Sequence, residues 1–285
     1  MKYPGIVTRR FFIRNGLLAS TMLAAAGKSA LLGASAKTNE SDHGLKLGLT
    51  TYTLRKFSLD QALAMTQEAN LKYISLKDMH LPLKSSQAER REASKKVKAA
   101  GLVLMGGGVI YMKNDEQEIR NAFEYAKDAG MPTIICSPEP PAMDAVERFA
   151  KQFKIRIAIH NHGPGDKHYP SPLDVLQLVK DRDPLMGICM DVGHTVRNGE
   201  NPVLVIEQCG PRLYDFHMKD VTKAAGDGKA IEVGKGVTDI PGVLKALIQA
   251  KFNYHVALEY EAHADDPMPG IKESIGYIRA ALKKI

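Results

Sequence analysis

Four residues carry most of the chemistry that this sequence can do. His160, Asp191, His217 and Glu259 each close a short apolar, β-rich run: IRIAI, GICM, LYDF and HVAL respectively. A lone histidine or carboxylate at a strand end is an ordinary hydrogen-bonded residue. Four of them at the ends of successive strands are different, because crowded imidazoles and carboxylates are costly unless a cation balances them. The expectation is one divalent ion bound by His160, Asp191, His217 and Glu259. Two imidazoles and two carboxylates suit Mn²⁺, Zn²⁺, Co²⁺ or Fe²⁺ better than Ca²⁺, with Mg²⁺ left open.

Further candidates lie close by in the chain. His162 follows His160 by two residues and shares its side if the strand continues; anchoring the loop is the alternative role. Asp166, in Gly163-Pro164-Gly165-Asp166, is either a general base or a turn aspartate. Lys219 follows His217 by two and points toward substrate oxygens, or else pairs with Asp220 or Glu261. Lys77, His80 and Tyr111 come just after the second and third strands, where they would line a pocket. Gly106-Gly107-Gly108 reads as close backbone packing at a rim rather than a phosphate loop.

The elements that must position these residues are legible as β-rich runs alternating with helical patterns, the mark of a parallel sheet with crossover helices. The expected strands are 45–51, 71–77, 102–107, 131–136, 155–160, 186–191, 212–217 and 254–259. Eight such units make the fold class α/β, a (β/α)₈ TIM barrel, in which chemistry gathers at the C-terminal ends of the strands. Ser86-x-x-Glu89 and Ser171-Pro172-x-Asp174 mark helix starts as capping boxes. Residues 37–44 read as a polar leader and 270–285 as a closing amphipathic helix.

The N-terminus reads as an address. Thr8-Arg9-Arg10-Phe11-Phe12-Ile13-Arg14 is a twin-arginine pair with bulky apolar residues behind it, followed by the small and apolar stretch 16–27. Ala34-Ser35-Ala36 has the form that signal peptidases accept, and the apolar run falls short of the ~18–20 residues of a membrane span. Residues 1–36 are therefore expected to be a cleaved export signal of twin-arginine type, leading to the periplasm. They hold five bases and no acid, so the remainder keeps only +2 of the formal +7. That near-neutral balance argues against nucleic acid as a partner. Residues 37–285 suit a single barrel of about 250 residues, with no membrane span and with oligomerisation left open. Cys136, Cys189 and Cys209 are odd in number and form no CxxC, so buried free thiols are expected.

With these residues placed, a resemblance emerges. Met190-Asp191-Val192-Gly193-His194, His217-Met218-Lys219-Asp220 and Leu258-Glu259-Tyr260-Glu261 resemble the xylose-isomerase-like barrel family of sugar isomerases and epimerases, which includes tagatose 3-epimerase-like and inosose dehydratase-like enzymes. The likeness runs over 45–285 and is strongest from Ile155 onward. It implies a metal held by Asp191, His217 and Glu259, and a substrate-contacting histidine at His194. One departure matters. Ketose epimerases of the family usually end the fifth strand in a glutamate that binds metal and moves a proton, whereas here that place is His160.

The chemistry so implied is removal of a C–H proton beside a carbonyl chelated to the metal, giving an enediolate. Its exits are isomerisation, epimerisation or β-elimination. Loss of the fifth-strand glutamate disfavours two-base epimerisation and favours isomerisation or elimination, with Glu259 as ligand and base and His162, Asp166 or His194 as acid. Export points to an unphosphorylated keto-sugar, polyol or oxidised glycoside as the small-molecule substrate. An endonuclease IV-like hydrolase and a non-catalytic exported barrel that binds metal or carbohydrate are the alternatives from other classes. The export reading has a direct check. Replacing Arg9 and Arg10 by lysine should retain the precursor in the cytoplasm, and normal export of that variant would exclude the twin-arginine route.

Overall fold

The computed structural model describes residues 42–285; the export signal expected over 1–36 and most of the polar leader lie outside the described residues. Eight parallel strands close into a barrel. They are β1 (Lys46–Thr50), β2 (Tyr73–Leu76), β3 (Val103–Met112), β4 (Thr133–Pro138), β5 (Arg156–His160), β6 (Met186–Asp191), β7 (Leu213–Met218) and β8 (His255–Leu258). Each neighbours its sequence successor, and β8 pairs with β1 to complete the ring. No described helix is long and apolar enough to cross a membrane.

Helices form where apolar residues recur at three- and four-residue spacing, and they bury that stripe against the strands. In α3 (Glu116–Ala129) the buried set is Ile119, Ala122, Phe123, Tyr125, Ala126 and Ala129, and Gly130 ends the helix in the left-handed conformation. Phe123 meets Phe149 of α4 (Met143–Phe153) at a ring separation of 5.9 Å. Both expected capping boxes are present, Ser86–Glu89 opening α2 (Gln87–Ala99) and Ser171–Asp174 opening α5 (Pro172–Val179). The expected closing helix runs Met268–Leu282, and the three cysteines are buried free thiols.

Three local differences from the expected pattern have physical causes. β3 continues past the glycine triplet to Met112, because the missing side chains let it lie against β4. A Cβ on Gly106 would meet Thr133 O at 2.9 Å, and one on Gly108 would collide with Ile135 O. A bulge between β6 and β7 pairs Ile188 with Leu213 but Cys189 with Asp215, leaving Tyr214 as the extra residue. The last difference is a short antiparallel ribbon after β7, Asp220–Val221 against Ala230–Ile231. Asp220 anchors its surroundings, its buried carboxylate accepting from the backbone N–H of Val221, Gly234, Gly236 and Thr238.

Strand alternation then decides what enters the barrel. Ile157, Ile159, Ile188, Met190 and Phe216 belong to the main apolar core. The alternate positions, Ala158 and His160, Cys189 and Asp191, Asp215 and His217, and His255, Ala257 and Glu259, share the other face. Their upper members form the site.

Candidate functional site

His160, Asp191, His217 and Glu259 converge, each offering a ligand atom within 4.8 Å of the others, and all four are buried. His160 Nε2 lies 3.1 Å from His217 Nδ1 and 3.7 Å from Asp191 Oδ2, and His217 Nδ1 lies 3.2 Å from Glu259 Oε2. Ligands at about 2.0–2.2 Å from an ion in tetrahedral array stand about 3.4 Å apart. Spacing and donor chemistry therefore both fit a divalent ion held by these four residues.

The two carboxylates are each held by their own chain segment. Asp191 ends β6 and is also the N-cap of α6 (Val192–Arg197): its Oδ1 accepts the His194 N–H at 2.9 Å, which leaves Oδ2 for the site. Asn161 supports it from β5's end, accepting the Asp191 N–H at 2.8 Å. Glu259 lies just past β8, where its N–H donates to Met218 O, and the next residue, Tyr260, donates its N–H to Thr53 Oγ1.

Lys219 supplies the charge that the site requires. It is 1% exposed, and its Nζ lies 2.9 Å from Asp191 Oδ2, Glu259 Oε2 and Glu261 Oε1. Glu261, one of its two expected salt-bridge partners, is thus present; Asp220, the other, is committed to backbone. Burial by itself would raise the carboxyls of Asp191 and Glu259, but the Lys219 ammonium, aided by His194 and His160 at Asp191 and by His217 at Glu259, holds both well below the usual range. Burial pushes His160 far down, whereas at His217 Glu259 and Asp215 outweigh burial and the ring is raised.

A second group faces the tetrad from the strand ends above it. His162 packs 4.5 Å from the His160 ring and 6.0 Å from that of His194. Its Nδ1 lies 3.4 Å from Asp166 Oδ2, and its Nε2 lies 3.2 Å from the Tyr111 hydroxyl. Asp166 does two jobs, since Oδ1 also accepts the backbone N–H of His168 and Tyr169 and so closes the loop. His194 Nδ1 lies 3.4 Å from an Arg197 Nη1 donor, which directs its Nε2–H toward Asp191 Oδ2, 4.0 Å away. Burial lowers both His162 and His194, so both rings are neutral near pH 7. Lys77 extends over the Tyr52 ring at 5.4 Å. His80 does not join this group: it is buried with Nε2 on Phe57 O at 3.1 Å, which ties the loop after β2 to the segment before α1 (Leu59–Glu68).

Sequence reasoning missed Asn161, Tyr52, Asp215 and Arg197. Asn161 sits inside the His160-Asn161-His162 run and Arg197 lies three residues past His194 on α6, so both were open to notice; Tyr52 and Asp215 declare themselves through contacts with neighbouring strands.

The buried charges generate a test. Lys219→Met should lower stability in chelator by roughly 3–5 kcal/mol at neutral pH, the cost of leaving buried carboxylates without their cation. Because both carboxyls are held below their unfolded values of about 4, the wild-type advantage is fully present above that pH and is lost as pH falls further. Urea denaturation of both proteins across pH checks this, and equal stability throughout would contradict the assignment.

Comparison with known proteins places this geometry. The family model described as xylose isomerase-like TIM barrel matches residues 52–281. An inosose dehydratase from Clostridium botulinum is 27% identical over 150 residues, covering 47% of this chain and 48% of that protein, so the chain spans about half the length of the curated relatives it matches. A 3-keto-D-glucoside 4-epimerase from E. coli superposes with a TM-score of 0.68 at 14% identity, covering 83% of this chain and 99% of that one. A probable 3-DHS dehydratase from Bacillus anthracis gives 0.66 at 15% identity, covering 82% and 98%. At such identities the two structures speak for the fold. The family match extends over most of the chain, including every residue of the site, and the chain belongs to the xylose isomerase-like TIM barrel family.

Proposed function

We propose that this protein is a divalent-metal-dependent enzyme that removes a proton beside the carbonyl of an unphosphorylated keto-sugar, keto-polyol or oxidised glycoside, and completes the reaction by β-elimination or isomerisation. The observation that carries the reading is the combination of a buried four-ligand cluster with two neutral histidines, His162 and His194, facing it. The likeness to inosose dehydratase adds weight to elimination. The export signal proposed for residues 1–36 favours a substrate without phosphate.

A divalent ion held by His160, Asp191, His217 and Glu259 would act as a Lewis acid, polarising the substrate carbonyl and stabilising negative charge on its oxygen. The remaining work falls to side chains. Glu259, held strongly acidic by Lys219 and His217, is better suited to ligation than to accepting a proton. His162 suits the base: the Asp166 carboxylate 3.4 Å from Nδ1 favours a hydrogen on that nitrogen, and Nε2 then accepts from the Tyr111 hydroxyl, a contact that a substrate C–H would replace. His194, held by Arg197 as the Nε2–H tautomer, suits the acid that protonates a departing hydroxyl. A base and an acid 6.0 Å apart by ring centroid suit adjacent carbons of one ring. The ammonium of Lys219 keeps the ligand carboxylates ionised and in place.

Solvent exchange tests the reading. With Mn²⁺ or Co²⁺ and an inosose or 3-keto-glycoside in D₂O, deuterium should enter the carbon beside the carbonyl, and elimination should release water or an aglycone. His162→Gln should slow exchange by about 10²–10⁴-fold while metal binding persists. The acid limb of the rate profile should fall below the ordinary histidine range, because burial lowers His162. Clean epimerisation would defeat the argument from His160, and no exchange with any keto-sugar would defeat the enolisation chemistry itself.

A further inference from the structure

Directly beneath the four-ligand cluster, where barrel interiors are dominated by bulky branched apolar side chains, lies a second polar layer. Asp215 is at its centre and fully buried. Its Oδ1 lies 3.6 Å from His217 Nε2 and 3.8 Å from Cys189 Sγ, and its Oδ2 lies 3.7 Å from His255 Nδ1. His255 is 1% exposed. Room for it comes from β1, where a Cβ on Gly48 would collide with His255 Nε2. Strand alternation puts Asp215 on the same face as His217 and Lys219, two and four residues on, and the bulge at Tyr214 sets that stretch of β7 opposite Cys189 and Asp191. A buried carboxylate between two imidazoles is costly to maintain, and this one sits on the far side of a ring whose Nδ1 faces the cluster.

That placement settles which proton His217 must carry. Its Nδ1 points at His160 Nε2 and Glu259 Oε2, 3.1 and 3.2 Å away, so it can offer a lone pair to an ion only if the ring hydrogen resides on Nε2. On the Nε2 side stands the Asp215 carboxylate. We propose that Asp215, with the His255 ring beside its other oxygen, is a positioning residue that favours the Nε2–H form of His217 and strengthens Nδ1 as a metal ligand. The proposal rests on the metal reading above. It adds a chain, His255–Asp215–His217, that reaches from the barrel interior to the site, with a carboxylate fixing the tautomer of a ligating imidazole.

The test measures binding rather than turnover. Co²⁺ and Zn²⁺ affinities, with the visible absorption of the Co²⁺ form, are compared for wild type, Asp215→Asn and His255→Gln, with melting of the metal-free proteins recorded alongside. Asp215→Asn preserves shape but can turn an amide N–H toward Nε2 and favour the wrong tautomer. It should lose about 10–100-fold in affinity and shift the Co²⁺ bands, while its metal-free melting stays near wild type. His255→Gln should shift both readouts in the same direction by less, and it decides the matter if Asp215→Asn does not fold. Unchanged affinity and an unchanged Co²⁺ spectrum would overturn the proposal. Failure of the wild type to bind either ion would instead overturn the metal reading, and this proposal with it.

Discussion

Asp191 and Glu259 are buried carboxylates facing one space at the mouth of the barrel, and the surrounding structure is arranged around the cost of keeping them ionised there. Lys219 meets that cost, with one ammonium 2.9 Å from an oxygen of each and from Glu261. At an effective dielectric of about 20 an ammonium–carboxylate pair at about 4 Å gains about 4 kcal/mol, comparable to the several kcal/mol that each buried ion loses on leaving water. The balance is narrow, so geometry decides it. Asp191 is fixed twice, by capping α6 and by Asn161, and Glu259 is tied through its backbone to β7.

Charge also separates the histidines by role. His160 and His217 face the carboxylates inside the barrel, while His162 and His194 stand farther out, each with one ring nitrogen engaged by a neighbour, Tyr111 or Arg197. Four imidazoles within a few ångströms would repel one another if all were charged. Burial holds His160, His162 and His194 neutral, and only His217, between Glu259 and Asp215, is pushed toward protonation.

The barrel and its site were legible in the sequence to different depths. Alternation of β-rich runs with helical periods locates the eight strands, since a parallel strand covered on both faces has to be apolar almost throughout. The four clustered residues stand out because they are polar residues that interrupt those runs at their ends. The bulge at Tyr214 could not be read this way, because adding one residue to β7 changes pairing without changing composition; Asp215 was open to notice, since it lies two residues before His217 and shares its face. His80 was misleading. It follows a strand end in sequence, yet the turn after β2 carries it to Phe57 O, away from the cluster. Lys219 was ambiguous between substrate and salt bridge, and only the three-dimensional position of Asp191 and Glu259 reveals that its partners include both carboxylates of the cluster.

The chemistry of this site depends on whether His160, Asp191, His217 and Glu259 enclose one divalent ion while Lys219 stays bonded to the two carboxylates. Anomalous diffraction from crystals grown with Zn²⁺ or Co²⁺, recorded on both sides of the metal's absorption edge, tests this most directly. The expected result is one strong peak at about 2.0–2.2 Å from an atom of each of the four residues, with the Lys219 ammonium outside the coordination sphere. A cluster without a peak, with Lys219 occupying its centre, would contradict it.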